Sequence, residues 1–470
     1  MKKRVLALLL ALVMLLALAA CGGDDTQPAN DGGNQPAASN GDSSSSDSPV
    51  EVQPATPADG GDQEPVTLTA WYYYDAGVEA GYQAWADAVH ETYPWITVAL
   101  EELPYDSGPE KFTVACATDT TPDMYFDGYS RISAAVHGGI TMDLTDVLAD
   151  RADLFNGEIT DGVIDGKNQY IPMWDGGGYV WAVNLDLAEE LGVKDMLPAD
   201  WSQWSYDDAL EIMRAAKAAN PDIYPTALWA GSKSSDAAYY NLLVAAGAKI
   251  CNDDLTATAV NGPEALEALN FLKTIVDEEL TRPGYITTID EELYDPWNSG
   301  KLLFRFSAGF SNVGQFEQDL ADGIRADFDY DFYAAPTPKG DHVPNGVSWG
   351  TYGVCAFPHD GNEEAVKLAL GLFLDEPSFQ NTILTAWGKF SRMTNTTIEF
   401  PSERAQKLAD RGAEYSAYTI SNFGILEGWW TDFRDTFYPQ LQDFYSGKID
   451  AQTVLDNWSA NADAVIAAAQ

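Results

Sequence analysis

The chain has 470 residues, with 26 basic against 72 acidic side chains and a formal charge of −46. Such a chain cannot present the basic face that phosphate contacts need, which excludes nucleic-acid binding. With 46% hydrophobic and 12% aromatic residues it can bury a core for two or three domains, which excludes global disorder.

Lys2, Lys3 and Arg4 precede an unbroken apolar run from Val5 to Ala20, the two leading regions of a signal peptide and too short for a membrane span. The run ends in LALAAC (16–21), which resembles the lipobox of bacterial lipoproteins. That resemblance implies cleavage after residue 20 and a lipid on Cys21. Residues 22–65 hold seven Gly, six Pro, six Ser and nine acidic residues, with no aromatic, Lys or Arg. Segment 21–65 therefore reads as a lipidated, disordered tether with an end-to-end distance of roughly 35–40 Å. All 56 aromatic residues follow it, in a body that keeps a charge of −40.

From residue 66 strands alternate with helices, the pattern of an α/β protein. VTLTAWYYY (66–74) reads as a strand, 81–94 as a helix, and 96–100 and 122–126 as strands, the last followed by a loop. Strands are expected at 170–173 and 178–184, a helix at 206–220, a strand at 226–230, and helices at 237–247 and 263–278. Strands at 301–307, 329–336 and 351–357, a helix at 362–374 and a mostly helical 415–470 broken at Gly447 complete the order. Along the first strand, Tyr72 and Tyr74 share the parity expected to pack inward. Tyr73 and Asp75 lie at the carboxyl end, where α/β sheets place ligands.

Other chemistries lack their residues. Asp327, Asp329 and Asp331 begin like a calcium loop, but Phe332 and Pro338 stand where that loop needs Gly and Glu, so they read as the polar face of a strand. Tyr239 and Tyr240 share a helix on which at least one must face the core, against an iron site. The four histidines, at 90, 137, 342 and 359, show no paired spacing, and no nucleophile elbow, phosphate loop or dinucleotide fingerprint occurs. No metal and no cofactor is expected. Cys116, Cys251 and Cys355 are far from any CxxC spacing; they read as free buried thiols, with one long-range disulfide as the alternative.

The order of short motifs resembles extracellular solute-binding proteins of ABC transporters, in the carbohydrate-binding group that includes maltose-binding proteins. VTLTAW opens such chains; YPWITVALEE (93–102), TPDMYFDGYSR (121–131), GGITMDLTDVL (138–148) and IDGKNQYIPMWDGGGYVWAVNLDLAEELG (164–192) follow in their order. WSYDDALEIMRAAK (204–217), FYAAPTPKG (332–340) and SGKIDAQTVLDNWSANADAVI (446–466) complete it, while WGKFSRM (387–393) departs by lacking the usual proline.

The resemblance implies a two-lobe, type II periplasmic-binding-protein-like fold whose lobes are joined by crossing strands. Lobe 1 would hold 66–173 plus 339–390, and lobe 2 would hold 174–338 plus 391–470. It implies a monomeric receptor on the outer face of the cytoplasmic membrane, held only by its N-terminal lipid. That receptor would capture a carbohydrate and deliver it to ABC permease subunits served by a cytoplasmic ATPase. Sugars need aromatic platforms and polar side chains. The candidate ligand-binding residues are Tyr73, Asp75, Asp127, Tyr129, Arg131, Trp174, Asp175, Trp229, Phe310, Trp349, Trp429 and Trp430. Two alternatives are a secreted carbohydrate-active enzyme with a carboxylate pair and a solute receptor serving a membrane sensor.

The anchoring reading makes a direct prediction. Cys21→Ala should release the protein into the medium or leave it as uncleaved precursor, read by fractionation and immunoblot; processed protein still held on membranes would refute it.

Overall fold

The computed structural model describes residues 63–73, 77–104, 107–310, 312–400, 402–420 and 423–470. The expected signal peptide, Cys21, almost all of the tether, Tyr74 and the candidate Asp75 lie outside the described residues.

In chain order the strands used below are β1 (Val66–Tyr73), β2 (Ile96–Leu103), β3 (Met124–Gly128), β4 (Ile171–Asp175), β5 (Tyr179–Asn184) and β6 (Tyr224–Thr226). They continue with β7 (Leu302–Gly309), β8 (Tyr330–Tyr333), β9 (Gly346–Val347), β10 (Thr351–Ala356), β11 (Phe390–Ser391) and β12 (Thr419–Ile420). The helices needed are α1 (Glu79–Thr92), α2 (Gly108–Thr118), α3 (Tyr129–His137), α4 (Asp236–Ala245), α5 (Asn312–Ala321), α6 (Glu363–Asp375), α7 (Pro377–Trp387) and α8 (Glu403–Tyr415).

One sheet has six strands in the order β11-β4-β10-β3-β1-β2, with β1 parallel to both β2 and β3 and with β10 antiparallel to β3 and β4. Alternation along β1 explains its two-sided burial. Leu68, Ala70 and Tyr72 enter one apolar cluster, with α1 and α6, while Trp71 enters a second with α2 and α3. The other sheet has the order β8-β5-β7-β6 and anchors a larger cluster that includes α4 and the C-terminal helices.

Helix α1 shows how local sequence makes these contacts. Tyr82, Trp85, Ala86 and Val89 recur at helical spacing and are buried. Gly81 lets α7 approach, since a β-carbon there would stand 2.5 Å from Ile383 and 2.7 Å from the Phe379 carbonyl oxygen. The Trp85 indole N–H donates to the Ala369 carbonyl at 2.9 Å.

Two expected elements differ. Strand β6 stops at Thr226, and 227–230 continues as a loop whose backbone bonds to segment 280–288: Leu228 N–H donates to the Thr281 hydroxyl and Ala230 N–H to the Tyr285 carbonyl. Pro225 has no N–H to extend a ladder. The expected loop after residue 126 is instead the end of β3 followed at once by α3, with extended Gly128 as its N-cap. Tyr72 is buried, as its parity requires, and Asp329 and Asp331 meet Arg404 and Arg411 of α8. Both Tyr239 and Tyr240 are buried on α4. All three body cysteines are free, and burial pushes the Cys116 thiol up to about 11 and that of Cys251 to about 12.

The two sheets are joined at a crossing rich in glycine. Gly176 N–H donates to the Gly350 carbonyl at 3.4 Å, Gly178 bridges Ser348, and Ser348 N–H donates to the Ile420 carbonyl at 3.0 Å beside the β9–β12 pair. A further connection leads from β11 to α8.

Trp85→Ala should destabilise the protein by about 3–5 kcal/mol. A denaturant titration checks this, with the midpoint falling at unchanged slope.

Candidate functional site

Asp127, next to last in β3, is buried and its carboxylate is crowded with donors. It accepts the Gly128 N–H at 2.6 Å, the Tyr125 hydroxyl, and Nε of Arg131, one turn into α3, at 2.9 Å. This fixes the Arg131 guanidinium 5.1 Å from the centre of the Tyr73 ring at the end of β1. Tyr73 in turn lies 5.7 Å from Trp387 at the end of α7, and Trp387 lies 5.1 Å from Tyr352 in β10. The Lys389 amine stands 4.3 Å from the Tyr352 ring centre and 4.6 Å from that of Trp387. Five side chains from separate elements thus form a continuous row, Arg131, Tyr73, Trp387, Tyr352 and Lys389. It lies along the sheet edge where β1 and β3 end, with half-buried Tyr73 and Tyr352 on either side of buried Trp387, between cationic ends.

The second sheet brings its own aromatic group to the crossing. Trp349 is stacked with Tyr240 at 6.2 Å, meets Tyr179 edge-on at 6.4 Å and lies 5.0 Å from the Arg434 guanidinium. Arg434 is held by Asp236 through two bonds of 2.5 and 2.9 Å, with both partners buried. Burial raises the Asp236 carboxyl, and Arg434 opposes that rise. Trp429 covers Gly424, where a β-carbon would stand 2.4 Å from its ring, and Trp430 stacks on Phe433. The same segment touches the first body, since the Leu426 carbonyl lies 2.9 Å from His137 Nε2 on α3.

Polar rings and charges at the end of one sheet, and an aromatic group of the second sheet at the glycine-rich crossing, supply chemistry suited to a polar solute. Residues 75–376 match the family described as bacterial extracellular solute-binding protein. The chain belongs to that family. A Brucella abortus (strain 2308) chain, whose name goes no further than binding protein, is 26% identical over 390 residues, covering 79% of this chain and 86% of its own. Among solved structures, the cyclic alpha-maltosyl-1,6-maltose binding protein from Arthrobacter globiformis has 18% identity and a TM-score of 0.61, over 86% of this chain and 99% of its own. An ABC transporter solute binding protein from Thermotoga lettingae, bound with alpha-D-tagatose, has 16% identity and a TM-score of 0.70 over 85% and 99%. A chitin oligosaccharide binding protein has 17% identity and a TM-score of 0.68 over 86% and 99%. These likenesses establish the two-lobe, type II fold.

In this solute-binding protein Tyr73, Asp127 and Arg131 meet at the end of the first sheet, and Trp349, Trp429 and Trp430 pack in the large second cluster. Tyr129 is buried edge-on to Tyr170 at 5.0 Å, and Trp174 is buried beneath Trp387 at 5.5 Å. Trp430, Trp229 and Phe310 have at most 1% of their surface exposed. The Tyr239 hydroxyl clamps Trp229 by accepting its N–H at 3.1 Å and donating to its carbonyl at 2.9 Å, and Phe310 packs under Gly412. Their surroundings are those of core residues. Sequence reasoning passed over Tyr179, Tyr352, Trp387 and Lys389. Trp387 and Lys389 lie in WGKFSRM, the segment where the sequence departs from the family pattern, and Lys389 stands over two rings there.

Asp175 ends β4 beside a cavity of about 400 Å³ at the crossing, opposite Thr351 of β10 and Phe390 of β11. Its surroundings push the carboxyl from the usual 3.8 up to about 6; desolvation is the main cause, Arg392 at 3.9 Å opposes it and Asp161 adds to it. The folded chain thus holds this proton more tightly than the unfolded chain, so ionisation of Asp175 costs stability as pH rises. Relative to Asp175→Asn, the wild type should lose melting temperature between about pH 4 and 6 and then level off, read by calorimetry across pH.

Proposed function

We propose that this solute-binding protein is the receptor of an ABC importer for a carbohydrate, an oligosaccharide in particular. The row from Arg131 to Lys389 carries this reading. Flat rings at the cleft edge match the apolar faces of pyranoses, and the flanking cations and the Asp127 carboxylate match their hydroxyl edges. The names of the structural neighbours, which include cyclic maltosyl-maltose, tagatose and chitin oligosaccharide, support a sugar. In this reading the protein binds without turnover, acts as a monomer, and is held at the outer face of the cytoplasmic membrane by a lipid on Cys21, the tether giving it reach to permease subunits.

The proposed lobes are 66–173 plus 339–390 and 174–338 plus 391–470. Val347 and Trp349 pack in the large second cluster whereas Val354 packs in the first, which favours moving the changeover from 339 to Gly350. The proposed ligand set is centred on Tyr73, Asp127, Arg131 and Trp349, joined by Tyr352, Trp387 and Lys389. Trp174, Tyr129 and Trp430 would support these walls from below. Asp75 and Trp429 stay in the proposal by their positions.

A thermal-shift screen against mono- and oligosaccharides is the test. A true ligand at one hundred times its Kd stabilises the fold by roughly 2.7 kcal/mol, and a panel without a shift, followed by a shift with a non-sugar solute, overturns the reading. With the sugar in hand, Tyr73→Ala and Arg131→Ala should weaken binding by about 2–4 kcal/mol, or roughly 30- to 1,000-fold in Kd. Trp229→Ala should instead lower the melting temperature and leave the affinity of the folded fraction intact. Calorimetric titration beside thermal melts separates the two outcomes.

A further inference from the structure

A cavity of about 590 Å³ lies at the far end of the second sheet. Strand β7 runs eight residues from Leu302, paired with Tyr224 of β6, to Gly309, paired with Tyr179 at the crossing. Leu302 and Tyr224 line the cavity, which is therefore roughly 20 Å from the crossing. No residue of the row from Arg131 to Lys389 lines it, and neither does Trp349.

Its charges are unclaimed. Other cations in this region are engaged: Arg214 pairs with Glu278, and Lys217 donates to the Pro221 and Ile223 carbonyls at 2.8 and 2.9 Å and stands 4.2 Å from the centre of the Tyr224 ring. Arg282 and Lys301 line the cavity and, among the described residues, have no ion pair and no side-chain hydrogen bond, although the body carries a charge of −40. The carboxylates of Asp222 and Asp295, which also line it, are equally without partners among the described residues. A deeper group shares this state. Asn298 is 8% exposed, gives its amide N–H to Asp319 at 2.9 Å and leaves its buried Oδ1 without a donor. A buried acceptor left so is unfavourable, and an N–H from an occupant would relieve it.

The lining specifies an occupant that carries both signs of charge. Its anionic end would meet Arg282 and Lys301, its N–H donors would meet Asn298 and the two carboxylates, and its apolar part would meet Tyr224 and Ile324, the latter 62% exposed. We propose that this cavity is a second binding site, for a zwitterionic amino acid with an apolar side chain. The site is separate from the cleft and does not depend on what the cleft binds.

Calorimetric titration of the full chain with L-phenylalanine tests this. Wild type should bind in the millimolar range, and Arg282→Gln and Asp295→Asn, both changes of exposed side chains, should each bind roughly tenfold more weakly. Phenylpropionate, which lacks the ammonium group, and phenylethylamine, which lacks the carboxylate, should each bind roughly tenfold more weakly than the amino acid. Absence of phenylalanine binding up to roughly 50 mM overturns the proposal, as does equal binding of either truncated compound. Affinity that is unchanged in both variants, or that both keep while Arg131→Ala loses it, places the amino acid elsewhere and also overturns the proposal.

Discussion

Between Asp175 and Tyr179 the chain leaves one sheet and enters the other through three glycines, and the space around them sets how the lobes meet. Gly177 has φ +68°, and a β-carbon on it would stand 2.6 Å from the Phe390 ring. On Gly178 it would stand 2.9 Å from the Thr419 hydroxyl and 3.0 Å from the Tyr415 ring, and on Gly176 3.3 Å from Tyr352. Only a chain without side chains passes here. Of the rings crowding it, Tyr352 belongs to the proposed ligand row, and Phe390 lines the cavity beside Asp175. A passage this narrow brings the second strand, 348–350, close enough to bond to the first, and so holds Trp349 at the crossing.

Charge is organised around the same region. An acidic chain has acceptors in excess, so each buried cation is a scarce resource. Arg131 is oriented by Asp127 and Arg434 by Asp236, and each guanidinium lies against an aromatic ring of the proposed wall, Tyr73 and Trp349 respectively. A buried ion pair adds little net stability, but removing one partner costs about 3–5 kcal/mol. These pairs therefore act chiefly by holding side chains at one angle, which a rigid sugar-binding wall requires.

Much of the fold was readable because its strands and helices bury complete faces. Leu68, Ala70 and Tyr72 alternate, Tyr82, Trp85 and Val89 recur at helical spacing, and Gly447 with φ +75° punctuates the C-terminal helices. The errors fell where local signals compete. TALWA looks like a strand, yet its backbone pairs with a loop more than fifty residues away; FDGYSR looks like a loop, yet Gly128 caps a helix. Of the proposed site, parity and position at a strand's carboxyl end picked out Tyr73, and the motif order picked out Asp127 and Arg131.

The sequence by itself determined the α/β class, the alternation of strands and helices and the separation of an aromatic-free leader from an aromatic-rich body, because these follow from periodicity and composition, and the order of its motifs carried the resemblance to the family. Only the tertiary structure decided what each tryptophan packs against. Trp229, Trp349 and Trp430 look alike in sequence. Trp229 is clamped by a tyrosine ten residues along and Trp430 lies on Phe433, whereas Trp349 stands at the crossing between the lobes. Only long-range packing likewise carried Trp387 and Lys389 to Tyr352 and Phe390 to Asp175. Such contacts join segments far apart in the chain, and neither spacing nor propensity encodes them.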